Sequence, residues 1–165
     1  MTTFNRLYRA SRFHLCVHTG NKGNIGFEPS EYRNTQYTFV SYGTGYMHMF
    51  FDDKHEVVTY TQAGDLLDLR RFIDSSVVGQ ATENYRIISF NSWKKSQVWK
   101  GRLLGQNETQ ISSQHSYSTL VCFQGTFKIN GKEVPELSYV ELKQNKIYNI
   151  DSSDSFVGIF EEGNA

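Results

Sequence analysis

At 165 residues the chain has room for one large domain or two small ones. Folding at that size buries roughly 70% of the surface of the unfolded chain, so stability requires neither a disulfide nor a metal. Seventeen basic and seventeen acidic side chains cancel, which removes the broad positive field that nucleic-acid phosphates demand.

Ten Tyr and twelve Phe against two Pro favour pleated sheet, and strand-like runs follow one another almost without a break. Arg12–Thr19 is the first. Its alternation sets Phe13, Leu15 and Val17 on one face and His14 and His18 on the other, so with the apolar face as core the two imidazoles are expected outward. The glycines of Gly20–Gly26 lack the Gly-Lys-Ser/Thr ending of a phosphate loop and read as a hairpin tip. After Tyr37–Ser41 and the turn at Gly43 comes Tyr46–Phe51, with Met47, Met49 and Phe51 on one face and Tyr46, His48 and Phe50 on the other. The Met/Phe face is expected inside, leaving Tyr46, His48 and Phe50 as a contact stripe. With the faces reversed, His48 becomes a pocket base beside Tyr46.

Asp52-Asp53-Lys54 turns the chain into Glu56–Thr61. Leu66–Leu69 follows, with one helical turn expected by Ile73, and Thr82–Arg86 is a second helical candidate before the strand Tyr85–Phe90. Between Trp93 and Arg102 two Trp alternate with Lys and Arg, a mixture that can stack on and pair with a nucleotide. At zero net charge it reads better as a junction between halves 1–80 and 81–165, with Trp93 or Trp99 as a plug or a partner contact. The later strands are Gln97–Leu104, Thr109–Ser112, Ser118–Phe123, Thr126–Ile129, Tyr139–Leu142, Lys146–Ile150 and Phe156–Phe160. Among their turns Asn130-Gly131 carries the two left-handed residues of a type I′ hairpin. No apolar run resembles a signal peptide or a membrane span, so synthesis in a cytoplasm is expected. Cys16 and Cys122 sit in apolar runs and read as buried free thiols.

The chain also looks like itself. Tyr37–Thr44 aligns with Thr119–Thr126, and Val58–Leu69 with Tyr139–Ile150, the latter equating Gly64 with Asn145, two residue types that accept a left-handed backbone. An apolar strand ending in Gly, a hairpin, a strand, a tight turn and a closing apolar strand resembles the cupin (RmlC-like jelly-roll) superfamily. Leu120–Gly131 with Val140–Ile150 is the better copy, and Gln62-Ala-Gly64-Asp65 the better turn. The resemblance implies a mainly β, jelly-roll sandwich in two similar halves, a bicupin. It also implies where a cupin metal would be held, and the expected ligands are not there. The carboxylate position falls on Gln36 and Ser118, the His-X-His on Pro29–Tyr32 and Ile111–Gln114, and the closing imidazole on Leu67 and Tyr148. No metal and no cofactor are therefore expected. His-Glu-X-X-His, Cys-X-X-Cys and Gly-X-Ser-X-Gly are also missing, and His115 stands among hydroxyls in Ser112–Tyr117.

These features point to a non-enzymatic protein working through its sheet surfaces, with itself or other protein subunits as partner, as in a virus or phage particle. The alternative is a metal-free cupin that binds or isomerises a small polar ligand such as a sugar nucleotide, with His48 or His115 and Tyr46 as its candidate chemistry.

Overall fold

The computed structural model describes residues 3–23, 25–27, 34–94 and 97–163, and the side chains of 3–5 and 25–27 are left aside. The expected His-X-His position at Pro29–Tyr32 lies outside the described residues. The described residues are mostly strand with almost no helix, and the chain divides into two compact units, Met1–Lys95 and Ser96–Ala165. Among the described residues no helix is long and apolar enough to cross a membrane.

In the first unit β1 (Thr3–Arg9), β2 (Phe13–Gly20), β9 (Tyr85–Ser92), β4 (Thr35–Tyr42) and β7 (Leu66–Asp68) lie side by side in one sheet. The second sheet runs β3 (Ile25–Phe27), β8 (Ser76–Ala81), β5 (Gly45–Phe51) and β6 (Lys54–Tyr60). Val40 and Leu69 of the first sheet's region pack with Met47, Met49 and Tyr60 of the second, with Phe72 beside them and Ile87, Tyr85, Val58 and Val77 against the cluster. Burying such side chains contributes roughly 1.5–3 kcal/mol each relative to leaving them in water.

The second unit repeats this order. Strands β10 (Trp99–Leu103), β17 (Ser155–Glu162), β12 (Tyr117–Gly125) and β15 (Tyr139–Leu142) form one sheet. Strands β11 (Gln110–Ile111), β16 (Tyr148–Asp151), β13 (Phe127–Ile129) and β14 (Lys132–Val134) form the other. Each strand takes the place of the one eight before it, and β1 is an addition to the first unit's edge. Leu120, Cys122, Phe127, Ile129, Leu142, Ile150, Val157 and Ile159 fill the space between the two sheets.

Matching turns fall where the chain must reverse tightly. Gly43 and Gly125, at φ +92° and +80°, close β4 and β12. A Cβ at either would run into a carbonyl, that of Asn84 or of Asp154. Asn130 and Gly131 have φ 49° and 79°, the two left-handed residues expected of that hairpin, and Ile129 pairs with Lys132 across it.

Several expectations change. The boundary lies after Lys95 and not after residue 80, because β9 sits between β2 and β4 and belongs to the first unit's sheet. Thr82–Arg86 is a bend leading into β9 rather than helix, whereas Arg70–Phe72 does form the single helical turn, as a 3-10 turn. Gly20–Gly26 is not a hairpin tip: β2 pairs with β1 and β9, β3 pairs with β8, and the segment carries the chain from one sheet to the other.

The second alignment also shifts. By strand pairing β7 corresponds to β15, so Gly64 corresponds to Leu137 and not to Asn145. The hydrogen bonds agree. Gly64 N–H donates to the Val40 carbonyl and Val40 N–H to the Asp65 carbonyl, while Leu137 N–H donates to Cys122 and Cys122 N–H to Ser138. Leu137 holds φ +65° without being glycine, which is why its letter hid the match.

Candidate functional site

Residues directly paired across strands put their side chains on the same face of a sheet. Val40 pairs with Ile87, and both pack into the first unit's interior. His18 also pairs with Ile87, Cys16 and Thr38 with Ser89, and His14 and Thr35 with Asn91. His14, Cys16, His18, Thr38, Ser89 and Asn91 therefore all face inward. This reverses the expectation for β2. Phe13, Leu15 and Val17 lie on the other face, which is buried too, so apolarity alone did not mark the inside.

The inward polar groups are held in place. Thr35 Oγ1 donates to Asn91 Oδ1 at 2.5 Å, and Asn91 Nδ2 to the carbonyls of Ser89 and His14 at 3.2 and 3.4 Å. Gln36, the extra residue of a bulge in β4, gives its amide to Ser92 Oγ at 3.1 Å. His14 is buried, and the Trp93 ring lies 4.3 Å from it at a 39° tilt. Trp93 is anchored by its Nε1–H to the Ala10 carbonyl at 2.9 Å. His18 is half-buried, and loss of hydration pushes its imidazole down to about 4, so it is neutral at physiological pH. Burial pushes Tyr60 up to about 12, with Tyr85 adding to the rise.

The second unit carries apolar side chains at the places of Thr38 and Ser89, while on β10 Arg102 pairs with Ile159 as Cys16 pairs with Ser89, and Lys100 with Glu161 as His14 pairs with Asn91. Leu120 pairs with Ile159 where Thr38 pairs with Ser89. Lys100 and Arg102 are exposed at the sheet's edge, and buried polarity returns at the end of the inner face. Ser118, buried with no partner for its hydroxyl, pairs with Glu161 as Thr35 pairs with Asn91. Glu161 Oε2 accepts from Ser113 Oγ at 2.6 Å and from His115 Nδ1 at 3.1 Å, and the His115 N–H donates to Ser113 Oγ. His115 is thus not a lone loop imidazole but one oriented by a carboxylate from β17, a partner 46 positions away that spacing could not name. Tyr117 donates to Glu141 at 3.1 Å and meets the buried Trp99 edge to face at 5.6 Å.

The outward orientation of the stripe on β5 is as expected. Met47 and Met49 are buried, and Tyr46, His48 and Phe50 face out. Two residues join it that were not anticipated, His55 on β6 and Gln80 on β8. Trp93 and Trp99 fall on either side of the boundary between units, the first beside His14 and the second buried on the face of its sheet opposite the Leu120 row. Cys16 and Cys122 are buried free thiols, and burial pushes Cys122 up to about 11, far from a reactive thiolate.

The residues at the cupin ligand positions have other work. Gln36 is spent on Ser92, Ser118 is buried, and Leu67 leans on the apolar core. With Leu137 as the turn residue, the closing position of the second unit moves from Tyr148 to Val140, which packs against the core. Tyr148 is itself a core side chain whose hydroxyl accepts from the Lys143 N–H at 2.8 Å. Among the described residues no three His, Cys, Asp or Glu converge.

No family model matches the sequence, and no curated protein matches it. The structure has clear relatives in shape. The YhaK protein of Escherichia coli superposes with a TM-score of 0.65 at 10% identity, over 97% of this chain and 93% of that one. HutD of Pseudomonas fluorescens gives 0.61 at 9%, over 92% and 80%. A cupin 2 conserved barrel domain protein of Leptotrichia buccalis gives 0.50 at 10%, over 96% and 88%. At these identities the likeness is one of fold. Inner faces that close as jelly rolls, paired strand for strand in two similar halves, give this chain the cupin fold.

Proposed function

We propose that this protein is a metal-free cupin that binds a small polar ligand at the inner face of its first half. One observation carries the reading: at the same place in the same fold, the second half has Leu120 and Ile159 and the first has Thr38 and Ser89, flanked by His14, Cys16, His18 and Asn91. A polar group inside a sandwich costs roughly 1–3 kcal/mol unless it is hydrogen-bonded, and here the row forms a hydrogen-bonded array that a polar ligand could join. The neutral imidazole of His18, with hydroxyls and an amide, offers both donors and acceptors, which fits a hydroxylated, uncharged part of a ligand.

The test is a thermal-shift and calorimetric screen against sugars, polyols and nucleosides, compared between wild type and Asn91→Leu. A binder that raises the melting temperature of wild type by several degrees and leaves Asn91→Leu unmoved supports the reading. A variant that is simply more stable, with no compound in the screen binding wild type, defeats it. A second reading, a structural protein that assembles through its sheet surfaces as in a virus or phage particle, draws support from the outward Tyr46, Phe50 and Val57, each more than a third exposed on one sheet.

A further inference from the structure

The outer face of β5 and β6 holds two imidazoles at hydrogen-bond distance, a spacing that also suits two ligands of one metal ion. His48 Nδ1 lies 3.0 Å from His55 Nε2, and His48 Nε2 lies 3.1 Å from Gln80 Oε1. An amide oxygen only accepts, so His48 carries its proton on Nε2 and presents the lone pair of Nδ1 toward His55. The His55 ring is fixed in turn by Phe50, stacked at 4.4 Å and 5° from parallel. We propose that His48 and His55 form a bidentate surface site for a divalent transition metal of the imidazole-preferring kind, copper(II) foremost.

The separation of the two nitrogens, with the Gln80 and Phe50 contacts that orient the rings, carries the argument. Metal–imidazole bonds of about 2.0–2.1 Å at right angles place two nitrogens about 2.9 Å apart, and a tetrahedral angle places them about 3.4 Å apart. The observed 3.0 Å lies inside that interval. His55 Nε2 now donates to His48 Nδ1. Moving that proton to Nδ1 of the same ring frees a second lone pair, so the ion replaces one shared proton without any net change in the charge of the two rings. A modest swing of both side chains then converges the lone pairs. Gln80, accepting from the far nitrogen of His48, acts as a positioning residue, the outer partner that ligating imidazoles usually have. Affinity of such donors rises through nickel to copper and falls again at zinc, hence the preference for copper(II). The remaining coordination positions face solvent, because His55 and Gln80 are exposed. The site lies outside the sandwich and is independent of the ligand site proposed above.

The experiment is a titration of untagged full-length protein with copper(II), followed by calorimetry and by electron paramagnetic resonance. Wild type is expected to take up one equivalent in the micromolar range with a nitrogen-coordinated signal. His55→Ala and the His48→Ala/His55→Ala double variant should lose at least about tenfold in affinity, and Gln80→Leu should lose several-fold with its metal-free melting temperature unchanged. His115→Gln should bind as wild type does. All these side chains but His115 lie on an outer sheet face, so circular dichroism is expected to show intact folding throughout. A flat wild-type titration, or a double variant that keeps wild-type affinity and signal, overturns the proposal.

Discussion

At the scale of single residues, this protein is decided by a few side chains whose surroundings oppose their chemistry. His18 faces the first unit's interior and is pushed down to about 4 by desolvation, against an ordinary value of 6.5. Between those two pH values the unfolded chain holds a proton on this side chain that the folded chain refuses. Stability therefore falls as pH drops from about 6.5 to about 4, and is flat in this respect above it. Discounted for the ring's partly open surface, the loss is about 2 kcal/mol. Denaturant melts at pH 7.5 and 4.5 should show it, and His18→Leu should melt with a smaller difference between the two. An unchanged difference in that variant would assign the acid sensitivity elsewhere. The other singular residue is His115, whose ring nitrogen is tied to Glu161 while Ser113 shares the same carboxylate oxygen.

At the scale of elements, the turns are the fixed points. Gly125 ends β12 at φ +80° with the Asp154 carbonyl in the space a Cβ would take, whereas Gly131 has φ +79° with nothing near. The two positions separate conformational cost from collision. Gly131→Ala should cost about 1 kcal/mol, the price of a left-handed alanine. Gly125→Ala should cost appreciably more, about 2–4 kcal/mol, because the backbone of the Asp154 turn must also move. Chemical denaturation of the two variants checks this, and equal costs would mean that the close approach is not maintained in solution. The hairpins were legible for the same reason that these substitutions hurt. Asn130-Gly131 and Gly43 are residue types chosen by backbone geometry, and geometry leaves a mark in the letters. Leu137 leaves none, since it holds φ +65° without the usual residue, and the second alignment slipped there.

For the whole molecule, the assembly reading places the outward stripe of Tyr46, Phe50 and Val57 against another copy. A self-contact through it gives a sedimentation weight that is a multiple of the 19.0 kDa chain. Phe50→Lys should then return the protein to that single-chain weight, with its melting behaviour little changed because residue 50 faces out of the core. A wild type already at the single-chain weight removes the assembly reading and leaves ligand binding alone.

The letters by themselves determined a mainly β chain in two similar cupin-like halves, most of its strands, its tight turns, and the inward Met47 and Met49, because alternation and left-handed turns are local physics. Strands β1, β3 and β8 escaped, having weak alternation or glycine in place of apolar side chains. Only the tertiary structure decided which face of β2 is the interior, since that strand is buried on both sides and the more apolar side proved not to be the sandwich's own core. It alone joined His115 to Glu161 and His48 to His55 and Gln80, because strand pairing brings together residues whose separation along the chain carries no period at all.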